Sequence, residues 1–137
     1  MSTDKITVQA TLNVSRAKAW TYYTLPEHIT EWNFAHPSWS CPAASNDLRV
    51  GGKYEARMEA RDGSAGFTLE AIYRVVEEPV ELEYEFGGRM VRISFDEVEG
   101  QTQVTIAFDP ETENPIDLQR DGWQAILNNY KAYTESH

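Results

Sequence analysis

The 137-residue chain lacks several features that common kinds of protein require. Cys41 is the only cysteine, so no internal disulfide can form. No run reaches the about 18 apolar residues that a membrane-spanning helix needs. The first residues contain no apolar stretch of the kind that a signal peptide carries. We therefore expect a cytoplasmic protein with no signal peptide and no membrane insertion.

Basic residues are also scarce, with 12 lysines and arginines against 22 acidic residues and a net charge of -10. Binding to nucleic acid or to an anionic membrane requires a basic face, so neither is expected. The excess of acids is greatest in residues 51–100, which carry twelve acids and six bases. This pattern is typical of a solvated surface, and the alternative is a docking face for a chaperone or another basic protein.

Motifs that carry chemistry are absent. The three histidines, His28, His36 and His137, have no metal-ligand spacing, and no HExxH or CxxC pattern occurs. There is no G-x-S-x-G motif, and Cys41 has no basic neighbours in sequence that would activate a thiol. We expect no metal, no cofactor and no assigned catalytic residue, so an enzyme is the less favoured alternative.

The first third of the chain predicts one strand and two short helices. Residues 6–14 alternate between apolar and polar side chains, which is the pattern of a half-buried strand. Ser15 is suited to cap a short helix, and Pro26 is suited to the first turn of a second one. Residues 33–46 show no clear period and predict a long ordered loop, followed by a strand at 46–50.

The middle of the chain predicts a five-stranded antiparallel meander. Five segments between Gly51 and Phe108 alternate with period two, and glycine-containing turns such as Asp62-Gly63 separate them. In the second segment Tyr73 and Val75 are both expected on the apolar face. The opposite face of the sheet is rich in charge, so only one face needs a cover.

The last segment predicts a helix that covers the apolar face of the sheet. Asn114 is expected to cap a helix that runs from about Pro115 to about Thr134 with an apolar stripe. Only this helix is long enough to cover the sheet. We expect one α+β domain over residues 1–137, in which a curved antiparallel sheet wraps around the C-terminal helix. A cleft between the two is a natural site for a small ligand.

Bulky side chains of the sheet and the helix point to this cleft. The buried amide of Gln119 must find partners, which are either backbone groups or a ligand. The tyrosines are either core residues or polar groups that line the cleft. The sixteen predicted ligand-binding residues are Trp32, Phe34, His36, Trp39, Tyr54, Met58, Phe67, Leu69, Tyr73, Tyr84, Phe86, Gln119, Trp123, Ile126, Leu127 and Tyr130.

Some of these residues have two interpretations. Trp32, Phe34 and Trp39 form either a satellite core under their loop or a lid over the cleft. His36 is either a surface residue or a ligand contact with acid/base capacity. The acids at positions 111 and 113 are either exposed loop residues or an acid/base pair.

Three stretches carry a resemblance to a known family. They are Val14-Ser15-Arg16-Ala17-Lys18-Ala19-Trp20 through Pro26-Glu27-His28-Ile29-Thr30-Glu31-Trp32, then Asp47-Leu48-Arg49-Val50-Gly51-Gly52-Lys53-Tyr54 with Arg57-Met58 and Asp62-Gly63, and finally Gly122-Trp123-Gln124-Ala125-Ile126-Leu127. In this order they resemble the START-like helix-grip superfamily (SRPBCC), in the branch similar to the C-terminal domain of the activator of the Hsp90 ATPase. The resemblance implies a helix-grip fold, as in Bet v 1-like proteins, with an apolar cavity for a lipid, a polyketide or another small molecule.

Three functions follow. The favoured one is a binding protein for a small apolar or amphipathic ligand, present as a monomer or a weak homodimer. The second is a chaperone-accessory module, which the branch resemblance and the acidic surface support. The third is an enzyme of the cyclase or hydrolase type that uses His36, a tyrosine or Glu111 as acid or base.

Overall fold

Seven strands form one antiparallel sheet in residues 5–137, the range that the computed structural model describes. Residues 1–4, on which the expectation of no signal peptide partly rests, lie outside that range. The elements are β1 (Ile6–Leu12), α1 (Arg16–Thr24), α2 (Pro26–Trp32), β2 (Trp39–Asn46), β3 (Lys53–Ala60), β4 (Gly66–Glu77), β5 (Glu81–Phe86), β6 (Arg89–Val98), β7 (Gln101–Phe108) and α3 (Ile116–Ser136). The strand order is β1-β7-β6-β5-β4-β3-β2.

The sheet curls around α3, which is the helix-grip architecture that the sequence predicts. The helix crosses the β1 end of the sheet, and the indole of Trp123 stacks on the ring of Phe108 with 4.3 Å between centroids. The meander of β3 to β7 is confirmed, and positive φ angles at Gly63 and Gly100 allow two of its tight turns.

The two short helices begin where the sequence predicts. Ser15 caps α1, because its Oγ accepts a hydrogen bond from the backbone N–H of Lys18 at 3.2 Å. Pro26 opens α2, where its missing N–H costs nothing. In residues 5–137 no helix is both long and apolar enough to cross a membrane.

The loop predicted at residues 33–46 is wrong in its second half. Residues 39–46 form β2, an edge strand that pairs with β3, whereas residues 47–52 form a turn rather than the predicted strand. Pro42 and a shift of register between Ser40 and Ala43 interrupt the strand. An edge strand with such an irregularity has no clean alternation of burial, so its sequence shows no strand period.

The predicted inward position of Val75 is also wrong. The pairing of β4 with β5 changes register after Tyr73, which lies opposite Tyr84. Beyond that shift Val76 lies opposite Leu82 and packs against the core, whereas Val75 lies opposite Glu83. One inserted residue reverses which side chains face inward.

The start of α3 differs from the prediction in its cap. Pro115 occupies the cap position, and no side chain caps the helix. Asn114 lies one residue further out, in a turn where its backbone N–H donates to Glu111 Oε1 at 2.7 Å. The helix then runs to Ser136, two residues beyond the predicted end.

The core lies between the sheet and the helices. Phe95 of β6 is fully buried and meets Trp20 and Tyr23 of α1 edge-on, at centroid distances of 5.4 and 5.7 Å. Tyr130 of α3 is also fully buried, and its hydroxyl donates to the carbonyl of Ala19. These contacts fix α1 between the sheet and α3.

A helix packs against each edge strand of the sheet. α3 packs along β1, and Gln124 Nε2 donates to the backbone carbonyl of Gln9 at 3.0 Å. α2 packs against β2 at the opposite edge.

Candidate functional site

A cleft of about 780 Å³ opens between α3 and the concave face of the sheet. Twelve of the sixteen predicted ligand-binding residues line it: Trp32, Tyr54, Met58, Phe67, Leu69, Tyr73, Tyr84, Phe86, Gln119, Trp123, Ile126 and Leu127. They come from α2, from β3 to β5 and from α3, so the sheet and the helix both contribute, as predicted. Their contact with a ligand stays a prediction.

The structure places the other four predicted residues outside the cleft wall. Tyr130 is fully buried behind it and bonded to α1, as described above. The imidazole of His36 is exposed and pairs its Nδ1 with Ser38 Oγ at 2.8 Å. Neither side chain is part of the cleft wall.

The three aromatic residues around the first loop do not form one unit. Trp32 is buried, and its Nε1 donates to the carbonyl of Tyr22 at 3.0 Å. Phe34 lies beneath the guanidinium of Arg61, 5.7 Å from its centroid. Trp39 lies beside Phe67, with centroids 6.1 Å apart, and so touches the rim of the cleft rather than its wall. Only Trp32 lines the cleft.

Ten further residues line the cleft, and two of them, Glu111 and Glu113, are the acids that the sequence left with two interpretations. The others are Tyr23, Asn33, Ala35, Arg89, Ile106, Asn114, Leu118 and Gly122. A helical aromatic pattern on α1 predicts burial of Tyr23 but not the direction it faces. Asn33 directly follows Trp32 in the sequence. This position next to a predicted cleft residue is the one feature from which its place in the wall could be predicted.

The inner end of the cleft is built from tyrosines. The rings of Tyr54, Tyr73 and Tyr84 lie on neighbouring strands with 5.7 to 6.5 Å between centroids. The side chain of Asn33 donates from Nδ2 to the hydroxyl of Tyr54 at 3.2 Å. Within residues 5–137, no protein group forms a hydrogen bond with the hydroxyl of Tyr23 or Tyr84, and neither oxygen is among the fully buried atoms that lack a partner. Both residues line the cleft, so their hydroxyls can bind a polar atom there.

Burial keeps these phenols protonated. It raises the pKa of Tyr23, Tyr54 and Tyr84 well above the ordinary value of 10.0, and the neighbouring tyrosines raise it further. Burial likewise raises the pKa of Tyr73. Near neutral pH the hydroxyls therefore act as hydrogen-bond donors and acceptors, not as bases.

An alkaline titration should reveal these four tyrosines. In the folded protein they should resist ionisation as the pH passes 10.0, the ordinary value of a free phenol. The unfolded chain loses those protons first, so the free energy of unfolding should fall as the pH rises through about 10. The check follows tyrosinate absorbance and circular dichroism together. Their late absorbance should appear only as the fold is lost, and Tyr54→Phe should reduce it. Ionisation of all tyrosines at an intact circular dichroism signal would contradict the prediction.

Gln119 fastens the loop at the mouth of the cleft. Its Oε1 accepts from the backbone N–H of Glu111 at 2.9 Å, and its Nε2 donates to the carbonyls of Glu111 and Asn114 at 3.1 and 2.8 Å. Of the two partners that the sequence left open, the structure shows the backbone. Both N–H groups and the oxygen of the amide have backbone partners, so Gln119 positions the mouth of the cleft.

The mouth combines apolar and charged side chains. Phe67 and Leu118 line the cleft and are 53% and 58% exposed, so they mark its open rim on the sheet side and the helix side. Arg89, Glu111 and Glu113 are the charged residues of the wall. Arg89 lies over the ring of Phe86, 4.4 Å from its centroid.

The side chains that could act as a nucleophile or as metal ligands are not arranged for catalysis or metal binding. Burial raises the pKa of the Cys41 thiol, which disfavours the reactive thiolate. The carboxylate of Glu111 accepts from the backbone N–H of Asn114 and so closes the turn before α3. Among residues 5–137, no three His, Cys, Asp or Glu side chains are grouped to hold a metal ion.

Comparison with known proteins identifies the family. The sequence model of the family described as Activator of Hsp90 ATPase homolog 1-like protein (AHSA1) matches residues 13–135. The chain belongs to this family. The resemblance stated from the sequence is thereby confirmed. No protein of curated function matches this AHSA1-like chain.

Solved structures of similar proteins share the fold. The solution structure of an AHSA1-like protein from Aeromonas hydrophila is 36% identical, covers 96% of this chain and 92% of its own, and has a TM-score of 0.91. Chr148 from Cytophaga hutchinsonii is 45% identical over the same shares, with a TM-score of 0.84. NE0264 from Nitrosomonas europaea is only 18% identical, over 97% and 95% of the two chains, yet reaches a TM-score of 0.83 and shows the fold alone.

Proposed function

We propose that this AHSA1-like protein binds a small apolar or amphipathic molecule in the cleft between the sheet and α3. The observation that carries the proposal is a cleft of suitable volume whose wall is mostly apolar and has a few polar groups at its inner end. A volume of about 780 Å³ lies within the range of about 300 to 1,000 Å³ typical of ligand sites. Its walls are mostly aromatic and aliphatic, and a few hydroxyl and amide groups converge at the inner end.

Binding without catalysis fits these groups better than an enzyme does. The phenols at the inner end stay protonated, and Glu111 is engaged in a turn. A general base must be free to take a proton in reach of the substrate. The wall therefore supplies shape, apolar contact and hydrogen bonds, which are the requirements of a carrier or a sensor.

Native mass spectrometry of freshly purified protein, with organic extraction of what it carries, tests the proposal. We expect a co-purifying small molecule at a stoichiometric ratio. If the protein emerges with its apo mass, a panel of lipids and aromatic compounds should still give saturable binding and a raised melting temperature. Failure of the entire panel with folded protein would contradict the proposal.

A chaperone-accessory role is the second candidate, because the family match covers nearly the whole chain. A basic partner would meet the acidic outer face of the sheet, where Glu81 and Glu83 of β5 are neighbours of Glu77 and Arg92. A complex with an Hsp90-type chaperone that weakens as salt rises would support this role. Its absence at low salt would contradict it and leave the cleft proposal untouched.

A further inference from the structure

The inner part of the cleft contains no charged side chain. Arg89, Glu111 and Glu113 are the charged residues of the whole wall, and none of them is buried, since Arg89 and Glu111 are half-buried and Glu113 is exposed. Further in, the wall consists of phenols, the amide of Asn33, the indole of Trp32 and aliphatic groups. An anion moved to that depth would lose its hydration with no cation to replace it, which is costly.

The mouth holds one cation against two carboxylates. Arg89 lies over the ring of Phe86 and near Asp109, whose pKa it helps to lower. No lysine or arginine in residues 5–137 forms an ion pair with Glu113, which is exposed. The wall therefore carries two negative charges against one positive charge at its entrance.

The whole molecule adds to this field. Its net charge is -10, and residues 51–100, which include the strands β3 to β5 of the cleft, carry twelve acids against six bases. Long-range repulsion slows the approach of an anion, most strongly at low ionic strength. Neutral molecules do not experience it.

We infer that the cleft selects against anionic ligands and takes molecules whose aromatic or aliphatic body carries no negative charge. This inference rests on the proposed binding function and narrows it. The hydroxyls of Tyr23 and Tyr84 can donate to a carbonyl, ether or hydroxyl oxygen of such a ligand. A fatty acid anion or a phosphorylated lipid should therefore bind more weakly than the corresponding alcohol or ketone.

A matched pair of fluorescent probes tests the selection. N-phenyl-1-naphthylamine is uncharged, and 1-anilinonaphthalene-8-sulfonate has the same aromatic body with one sulfonate. At low salt we expect the uncharged probe to bind with a dissociation constant at least about tenfold lower. The sulfonate is also the more polar probe, so a charge variant is needed to assign the difference.

Glu113→Gln removes one carboxylate from the mouth, and Glu97→Gln removes an exposed carboxylate of β6 outside the cleft wall as the matched control. Glu113→Gln should strengthen binding of the sulfonate roughly two- to fivefold at low salt and leave the uncharged probe unchanged. The control should change neither. Equal affinity of the two probes, or a ratio that Glu113→Gln leaves unaltered, would overturn this inference alone. No binding of the uncharged probe would overturn the proposed function as well.

Discussion

Replacement of Gly122 with tryptophan should abolish ligand binding and leave the protein folded. Gly122 lines the cleft from α3, and a Cβ placed on it would meet no heavy atom within 4 Å. The Cβ of Gly122→Trp therefore meets no neighbour, and we expect its indole to occupy part of the cleft. Since the indole and a ligand would compete for the same volume, we expect affinity for an uncharged aromatic probe to fall at least about tenfold.

The matched control is Gly122→Ala, which adds one methyl group. Glycine inside a helix costs about 1 kcal/mol relative to alanine, so the control should raise the free energy of unfolding by up to that amount. Its ligand affinity should stay close to that of the native protein. Urea denaturation and probe titration check both variants. If folded Gly122→Trp keeps the native affinity, ligands bind elsewhere and the cleft proposal is wrong.

Replacement of Phe95 with alanine should be among the most destabilising changes in the chain. Its ring is 0% exposed and lies against Trp20 and Tyr23, where β6 supports α1. The change removes buried apolar surface and leaves a void, so we expect a loss of about 3 to 5 kcal/mol in the free energy of unfolding. Chemical denaturation measures it. A total stability of about 5 to 15 kcal/mol is usual for a domain, so we expect this variant to be only marginally folded.

Two further variants keep this test decisive. Phe95→Leu retains most of the volume and should lose much less stability than Phe95→Ala. Phe67→Ala makes the same chemical change at a ring that is 53% exposed on the rim of the cleft, and we expect a cost below about 1 kcal/mol. Similar losses at positions 95 and 67 would show that the core is not organised around Phe95.

Local signals predicted most of the fold because they depend on neighbouring residues alone. The hydroxyl of Ser15, the ring of Pro26 and the period of the meander each specify an element without reference to distant contacts. β2 was missed because an edge strand with Pro42 and a register shift needs no alternation. The reversal at Val75 was missed because a bulge depends on how two strands pair.

The site could be predicted where the alternation along a strand or the period of a helix determines which way a side chain points. Tyr54 and Tyr84 alternate inward on their strands, and Trp123 and Ile126 share the stripe of α3, so all four line the cleft. The position of Tyr130 on that stripe does not reveal its depth, which the contact with α1 determines. Asn33 follows the last residue of α2 and Arg89 is the first residue of β6, and only the tertiary fold brings them to the wall.

The edges of the sheet bear on how the protein behaves at high concentration. Unpaired edge strands are templates on which a second chain can add, the first step of edge-to-edge aggregation. Here α3 lies along β1, with Gln124 bonded to the backbone of Gln9, and α2 packs on β2, where Pro42 offers no N–H. We therefore expect that a second chain cannot add to β1 without prior detachment of α3, so that aggregation from this edge should follow unfolding rather than precede it.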